Sequence, residues 1–386
     1  MDINDIKEVY GNLKKKGSNV TSIYQSIWKE RCKMYKNEST IGIINQAPNR
    51  IVVIGDLHGD WNATVNTLLN AKLIKSSGNK YGYSWFGNDT IVVQLGDQID
   101  RCRLDRGRCD GPNATINDEA SDIKILEFFT HLHSQASKVG GAVYSIIGNH
   151  ELMNSQGDFR YVSRENLLEF SNMKINPNNE SEIKKKVEDG IKNRREQFKP
   201  GNKYANFLAC TRRAALVIGS NLFIHAGIVP EIAQKYNVND INRIIALFLF
   251  DKLKNPNKFN DLLINSRTSP LWTRLLGNLN KRNDKKIIED ICNSIFESGV
   301  LTNLLGNEST LKIERIFIGH TPQMFKGINT ICGNPTGNRK KIYYVDVGVS
   351  QAFDSFDSNL QRTSKRSSTR NYPFIEIIND NCVNIK

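Results

Sequence analysis

Residues 51–60 read Ile-Val-Val-Ile-Gly-Asp-Leu-His-Gly-Asp. Four apolar residues are closed by Gly55, and Asp56 and His58 follow two positions apart. A short apolar run bounded by glycine is the pattern of a strand buried on both faces. A turn at its end can aim a carboxylate and an imidazole at one point. The pattern recurs in residues 91–95 before Gly96-Asp97-Gln98-Ile99-Asp100-Arg101 and in 143–147 before Gly148-Asn149-His150-Glu151. It recurs again in 315–318 before Gly319-His320-Thr321. Residues 214–218 and 222–224 flank Gly219-Ser220-Asn221 as a hairpin, and the second run leads into His225-Ala226-Gly227.

Helical patterns fall between these strands, at 64–74 and at 119–139, where Ile125, Phe129, Leu132 and Ala136 keep helical spacing. His131 and His133 on the second of them read as surface or packing histidines, with no ligand partner at i+4. Late strands are expected at 341–347 and 372–378, with a turn at Asn379-Asp380-Asn381. Strands alternating with helices, then hairpins, place the chain in the α/β class as a sandwich carrying helices outside its sheets. Residues 181–199 are strongly charged and read as a solvated helix; 238–300 read as helical with an apolar segment at 244–250. Falling between motifs, these stretches are expected to form a helical cap above the strand ends. The expected organisation is a polar helical arm and loop over 1–49 and a catalytic domain over 50–386, with cap insertions within 160–310. Residues 355–370, rich in Ser, Arg and Thr, read as a mobile loop.

The chain has 386 residues, 39% hydrophobic and 24% charged, enough to bury a sizeable core. No apolar run approaches the roughly 20 residues of a membrane span. The polar first 16 residues are no secretory signal. Seven cysteines, odd in number and without zinc-ribbon spacing, read as mostly reduced thiols in a cytoplasmic setting. Cys102 and Cys109 are close enough for a redox clip, though two unrelated loop thiols are the simpler reading. The net charge of +13, concentrated at 184–203 and 362–370, reads first as solvated surface and second as attraction to acidic partners. No nucleic-acid motif accompanies it.

The five motifs together describe a site for two metal ions that hydrolyses a phosphate ester. Asp56, His58 and Asp97 would hold one ion, and Asp97, Asn149, His225 and His320 the other, with Asp97 bridging. Mixed carboxylate and imidazole donors suit Mn²⁺, Fe or Zn²⁺ better than Mg²⁺ or Ca²⁺. Ions so bridged sit about 3.5–4 Å apart and turn a shared water into the nucleophile. Asp100 could accept a hydrogen bond from His150, which would then protonate the leaving group. Arg101 offers a planar fork to phosphate oxygens.

Gly-Asp-X-His-Gly, Gly-Asp-X-X-Asp-Arg and Gly-Asn-His-Glu resemble the signature of phosphoprotein phosphatases within the calcineurin-like metallophosphoesterases, over residues 51–350. Asn149-His150-Glu151-Leu152-Met153-Asn154, Gly157-Asp158-Phe159-Arg160-Tyr161-Val162, Pro270-Leu271-Trp272-Thr273-Arg274 and Val345-Asp346-Val347-Gly348-Val349-Ser350 resemble the Shewanella-like protein phosphatase branch. The resemblance implies a four-layer αββα fold and two divalent metals, manganese foremost. It also implies a phosphorylated protein substrate carrying phosphoserine, phosphothreonine or phosphotyrosine. Arg160 and Arg274 are then expected as further phosphate clamps, and Trp272 as packing within the cap. Cys102 stands where the family's second motif ends in glycine, and the long loop after it carries Arg103, Arg106 and Arg108, which could add phosphate contacts. Two other readings stay open: a symmetrical dinucleoside tetraphosphate hydrolase, with which His225-Ala226-Gly227-Ile228-Val229-Pro230 is compatible, and a non-catalytic scaffold that binds phosphoproteins. The native metal, the preferred phosphoresidue and the oligomeric state are not readable from the chain.

Overall fold

The computed structural model describes residues 20–33, 42–103, 109–111, 114–176, 179–281, 284–306, 309–324, 326–333, 340–354 and 371–386. The expected loop over 355–370, the first part of the N-terminal arm, and Arg106 and Arg108 lie outside them.

Fourteen strands are described: β1 (Ile43–Ile44), β2 (Arg50–Ile54), β3 (Ile74–Ser76), β4 (Tyr83–Trp85), β5 (Ile91–Gln94), β6 (Ala142–Ile146), β7 (Arg212–Arg213), β8 (Ala215–Ile218), β9 (Asn221–Ile224), β10 (Arg315–Ile318), β11 (Asn329–Ile331), β12 (Lys341–Tyr344), β13 (Ile375–Ile378) and β14 (Cys382–Ile385). They form two six-stranded sheets, ordered β14-β13-β2-β5-β6-β7 and β1-β8-β9-β10-β12-β11, and a small β3-β4 ribbon. The hairpin expected around Gly219 is the antiparallel β8–β9 pair.

The apolar runs explain the stacking. Alternate residues of a strand face opposite ways. Ile51 and Val53 of β2 therefore point at the second sheet, where Phe223, Phe317 and Tyr343 stack with ring centroids 5.1 and 4.7 Å apart. Val52 and Ile54 point outward, onto Val65 and Leu68 of helix Trp61–Asn70 and Ile125, Phe129 and Leu132 of helix Asp122–Ala136. On the far side, Val217, Leu222 and Ile316 pack against Leu208 of helix Lys203–Thr211 and Ile241 and Ile245 of helix Val238–Leu249. The layers are thus helix, sheet, sheet, helix, as expected.

Three expectations change. The apolar segment at 244–250 lies in the outer helical layer rather than in a cap, because its side chains cover the second sheet; from the expected cap region, Tyr161, Trp272 and Arg274 reach the strand ends. The described part of the N-terminal segment does not stand apart as an arm. Tyr24 and Cys32 are buried in the outer core, and β1 pairs with β8. The cysteines are not mostly reduced: Cys32–Cys210, Cys102–Cys109 and Cys292–Cys332 are disulfides, leaving Cys382 as the exposed free thiol. Two of these pairs are 178 and 40 residues apart, so sequence spacing held no trace of them. The ground for a reducing compartment falls with that reading. Among the described residues, no helix is long and apolar enough to cross a membrane.

Candidate metal centre

Parallel pairing sets β2, β5 and β6 in register, with Ile51 beside Ile91 and Ile91 beside Ala142. Their C-terminal ends therefore release Asp56, Asp97 and Asn149 at one edge. In the second sheet β9 and β10 are also parallel neighbours, and the Gly319 N–H donates to His225 O (2.8 Å) just beyond their ends. The two edges face one another, and all six expected donors converge.

His225 Nε2 lies 3.4 Å from Asp97 Oδ2 and 3.0 Å from Asn149 Oδ1. His320 Nδ1 lies 2.8 Å from Asn149 Oδ1. His58 Nε2 lies 3.9 Å from Asp56 Oδ2 and 3.8 Å from Asp97 Oδ2. Each histidine is oriented through its other nitrogen by a backbone carbonyl. His225 Nδ1 faces Leu95 O at 2.7 Å, His320 Nε2 faces Trp272 O at 3.0 Å and His58 Nδ1 faces Ile99 O at 3.3 Å. This is how metal-ligating imidazoles are held: one nitrogen donates outward and the other keeps its lone pair inward.

The loops carry backbone strain. His58, Asp97, Asp100 and His320 have φ of 42°, 51°, 71° and 63°, in the left-handed region that side chains avoid. Their neighbours hold them there. The His58 N–H donates to Asp97 O (2.9 Å) and the His320 N–H to Asp56 Oδ2 (2.9 Å). Glu151 accepts from Gly148 N–H (2.7 Å), Asp97 N–H (3.0 Å) and Gln98 N–H (2.7 Å), tying the second motif to the third. Gly148 and Gly319 make room instead, since a Cβ on either would collide with a carboxylate oxygen, Asp97 Oδ1 or Asp56 Oδ1.

Charge fits the same picture. Burial, then Asp346 and Asp97, push the Asp56 carboxyl well above its usual range. Burial and the Arg103 guanidinium push His58 well below its own. Burial would also raise Asp97, but His225, His150 and His58 outweigh it and hold that carboxyl low. Asp346, to which the sequence pattern assigns no role, is raised to about 6 by burial. Asp56 Oδ1 and Asp346 Oδ2 are buried without a hydrogen-bond partner. Clustered buried carboxylates with orphaned oxygens need a counter-charge. Oxygen and imidazole donors grouped around Asp97 fit divalent cations.

His150 stands beside this cluster. Its Nδ1 donates to Asp100 Oδ2 at 2.7 Å, and its Nε2 lies 3.7 Å from Asp97 Oδ2. A cavity of about 390 Å³ opens here, with Tyr161, Trp272 and Phe353 among its walls. Trp272 is half-buried, donates its indole N–H to Leu263 O (3.1 Å) and lends its carbonyl to His320.

The arginines divide. Arg274 lines the cavity and donates to His320 O (3.0 Å). Arg101 does not reach it. Its buried fork donates to Gly59 O (2.9 Å) and Asn117 O (3.0 Å) and pairs with Glu119 (3.0 Å) and Asp60 (3.4 Å). Arg160 does not reach it either: it grips Asp158 at 2.9 and 2.7 Å and lines a separate depression with Arg195. Arg103 comes in instead. Its Nη2 contacts the His58 ring, lying 2.9 Å from Nε2, and is 3.3 Å from His150 Nε2. The Cys102–Cys109 disulfide sits immediately beside it. The sequence offers Arg103 as one of three loop arginines that could add phosphate contacts, without marking it apart from Arg106 and Arg108.

The model of the calcineurin-like phosphoesterase family matches residues 49–324. An uncharacterised protein of Acanthamoeba polyphaga mimivirus is 38% identical over 246 residues, covering 60% of this chain and 90% of that one. Shewanella-like protein phosphatase 2 of Arabidopsis thaliana is 27% identical over 333 residues, covering 79% and 73%. Among solved structures, the cold-active protein-tyrosine phosphatase of a psychrophilic Shewanella species superposes with a TM-score of 0.54 at 19% identity, covering 92% of this chain and 84% of that one, a likeness of fold. Five strand-end motifs meeting in one buried cluster give that match its chemical sense, and the chain belongs to the calcineurin-like phosphoesterase family, a hydrolase of phosphoester bonds.

Proposed function

We propose that this chain is a metal-dependent protein phosphatase, with Asp56, His58 and Asp97 holding one divalent ion and Asp97, Asn149, His225 and His320 a second. Manganese is the proposed metal, a choice compatible with the mixed donors. When bound, such ions supply positive charge to the phosphate and lower the pKa of bound water. The observation that carries the reading is the His150–Asp100 pair beside the donor cluster, with Nδ1 committed to the carboxylate at 2.7 Å. That bond leaves Nε2 to hold a proton toward a departing alkoxide or phenoxide. Arg103 takes the phosphate-binding role expected of Arg101 and Arg160, and Arg274 keeps the one expected of it; both stand at the cavity wall. Tyr161, Trp272 and Phe353 narrow the approach and keep bulk water off the reacting group. A phosphorylated protein as substrate is supported by the Arabidopsis relative's name.

The test is purified protein with its metal content measured, assayed on phosphoserine, phosphothreonine and phosphotyrosine peptides and on diadenosine tetraphosphate. Phosphopeptide turnover well above dinucleotide turnover is expected. Preference for the dinucleotide, or two bound metals with peptide affinity and no turnover, would overturn the assignment.

A further inference from the structure

Helix Glu180–Phe198 looks like a solvated insertion, yet Arg194 on it is fully buried. Gly190, one turn earlier, lies so close to Leu167 O that a Cβ there would collide with it. This contact seats the helix deeply. The Arg194 guanidinium then lies among the Phe198 and Phe170 rings, 4.9 and 5.1 Å from their centroids. A buried cation costs several kcal/mol unless its donors are matched.

They are matched: Nη1 donates to Asn166 O (3.2 Å), and Nε and Nη2 converge on Asp100. Nη2 pairs with Asp122 Oδ2 (2.8 Å), and Asp122 Oδ1 accepts the Asp100 N–H (3.1 Å). Nε donates to Asn154 Oδ1 (2.8 Å). That bond fixes the amide so that Nδ2 donates to Asp100 Oδ1 (2.9 Å) and to His150 O (2.9 Å). Nη2 also lies 3.7 Å from Asp100 Oδ1 directly. Asp100 has a φ of 71°, a strained conformation that persists only where its surroundings impose it. With Oδ1 and its N–H so held, Oδ2 is the oxygen that faces His150 Nδ1.

We propose that Arg194 is a positioning residue of the reaction: through Asn154 and Asp122 it fixes Asp100, which fixes the orientation of the His150 ring toward the leaving group. The inference rests on the acid role proposed for His150. It gives the charged insertion a place in the chemistry.

The experiment compares Arg194→Met, Arg194→Lys and His150→Ala on phenyl phosphate, a poor leaving group, and p-nitrophenyl phosphate, a good one, with metal content and Tm measured on each. Arg194→Met should lower kcat on phenyl phosphate by roughly 10–100-fold, part of the 10²–10⁴-fold that a positioned acid contributes. The loss on p-nitrophenyl phosphate should be several-fold smaller, with KM within about twofold of the parent. Arg194→Lys, keeping the charge without the fork, should recover only part. If Arg194→Met does not fold, the double variant Arg194→Met/Asp122→Asn removes both buried charges while retaining an acceptor for the Asp100 N–H, and carries the same comparison. Equal losses on both substrates, or a ratio unchanged from the parent, overturn the positioning role. A flat ratio in His150→Ala overturns the acid reading beneath it, whereas a shifted ratio there with a flat one in Arg194→Met sinks the positioning inference alone.

Discussion

Asp97 and Arg101 leave the same strand four residues apart, yet the first reaches the donor cluster and the second turns away from it. Asp97 sits on the tight turn directly after β5, where Glu151 and the His58 N–H hold its backbone. Arg101 lies further along the loop, and its long stem can aim its fork at Asp60 and Glu119 as readily as at a ligand. The same contrast separates all six donors from Arg103, Arg160 and Arg274. Short side chains at strand ends are placed by the sheet, while long side chains on connecting segments are placed by whatever they meet.

The contrast is most exposed at Asp97. Asp97→Asn should lower turnover by at least about a thousandfold, beyond the loss of a single transition-state donor. Its metal content should fall below that of the parent. Activity within tenfold of the parent would mean that the strand-end cluster is not the reacting centre.

The arginine pair supplies the next test. A charge-assisted hydrogen bond contributes about 1.5–3 kcal/mol, so Arg103→Ala should cost about 10–100-fold in kcat/KM, with a smaller loss of Tm from the freed Asp100 and Cys102 carbonyls than Arg101→Ala shows. Arg101→Ala should do the reverse. Removing one partner of a buried ion pair costs roughly 3–5 kcal/mol of stability, and KM should hold. Steady-state kinetics and denaturant midpoints on both variants decide it; the opposite pattern would return the phosphate to Arg101.

How far each assignment could be read in advance follows from the same distinction. The layers were legible because a run such as Ile51-Val52-Val53-Ile54 presents apolar side chains to both faces of its sheet, so both faces must be covered. The donors were legible because each follows such a run within four residues. The cap was misread at 244–250 because an apolar helix pattern does not say which sheet it covers. Arg194 was invisible for a related reason: one buried arginine in a helix carrying Lys184, Lys185, Lys186 and Lys192 has no local mark.

The mildest consequence sets a packed histidine against the clustered ones. His133 sits on helix Asp122–Ala136, its Nδ1 3.2 Å from the Val143 N–H, and burial and Arg213 lower its pKa to about 4. The unfolded chain binds that proton below about pH 6.5, whereas the native state does not until about pH 4. Stability from this group is therefore present above pH 6.5 and lost as pH falls toward 4, by roughly 2 kcal/mol at pH 5. His133→Asn should flatten that part of the stability profile in urea titrations between pH 5 and 8, with or without chelator. A profile identical to the parent's would mean the ring is not held neutral.

The order of amino acids alone pointed to the strands that carry the five motifs, to their burial and to the candidate donors at their ends, because apolar runs closed by a glycine need only local geometry to place the side chain that follows. Folding in three dimensions decided the rest. Which arginines enter the cavity, which distant cysteines pair and which insertion braces Asp100 depend on contacts between residues tens to hundreds of positions apart, and such contacts exist only once the sheets have stacked.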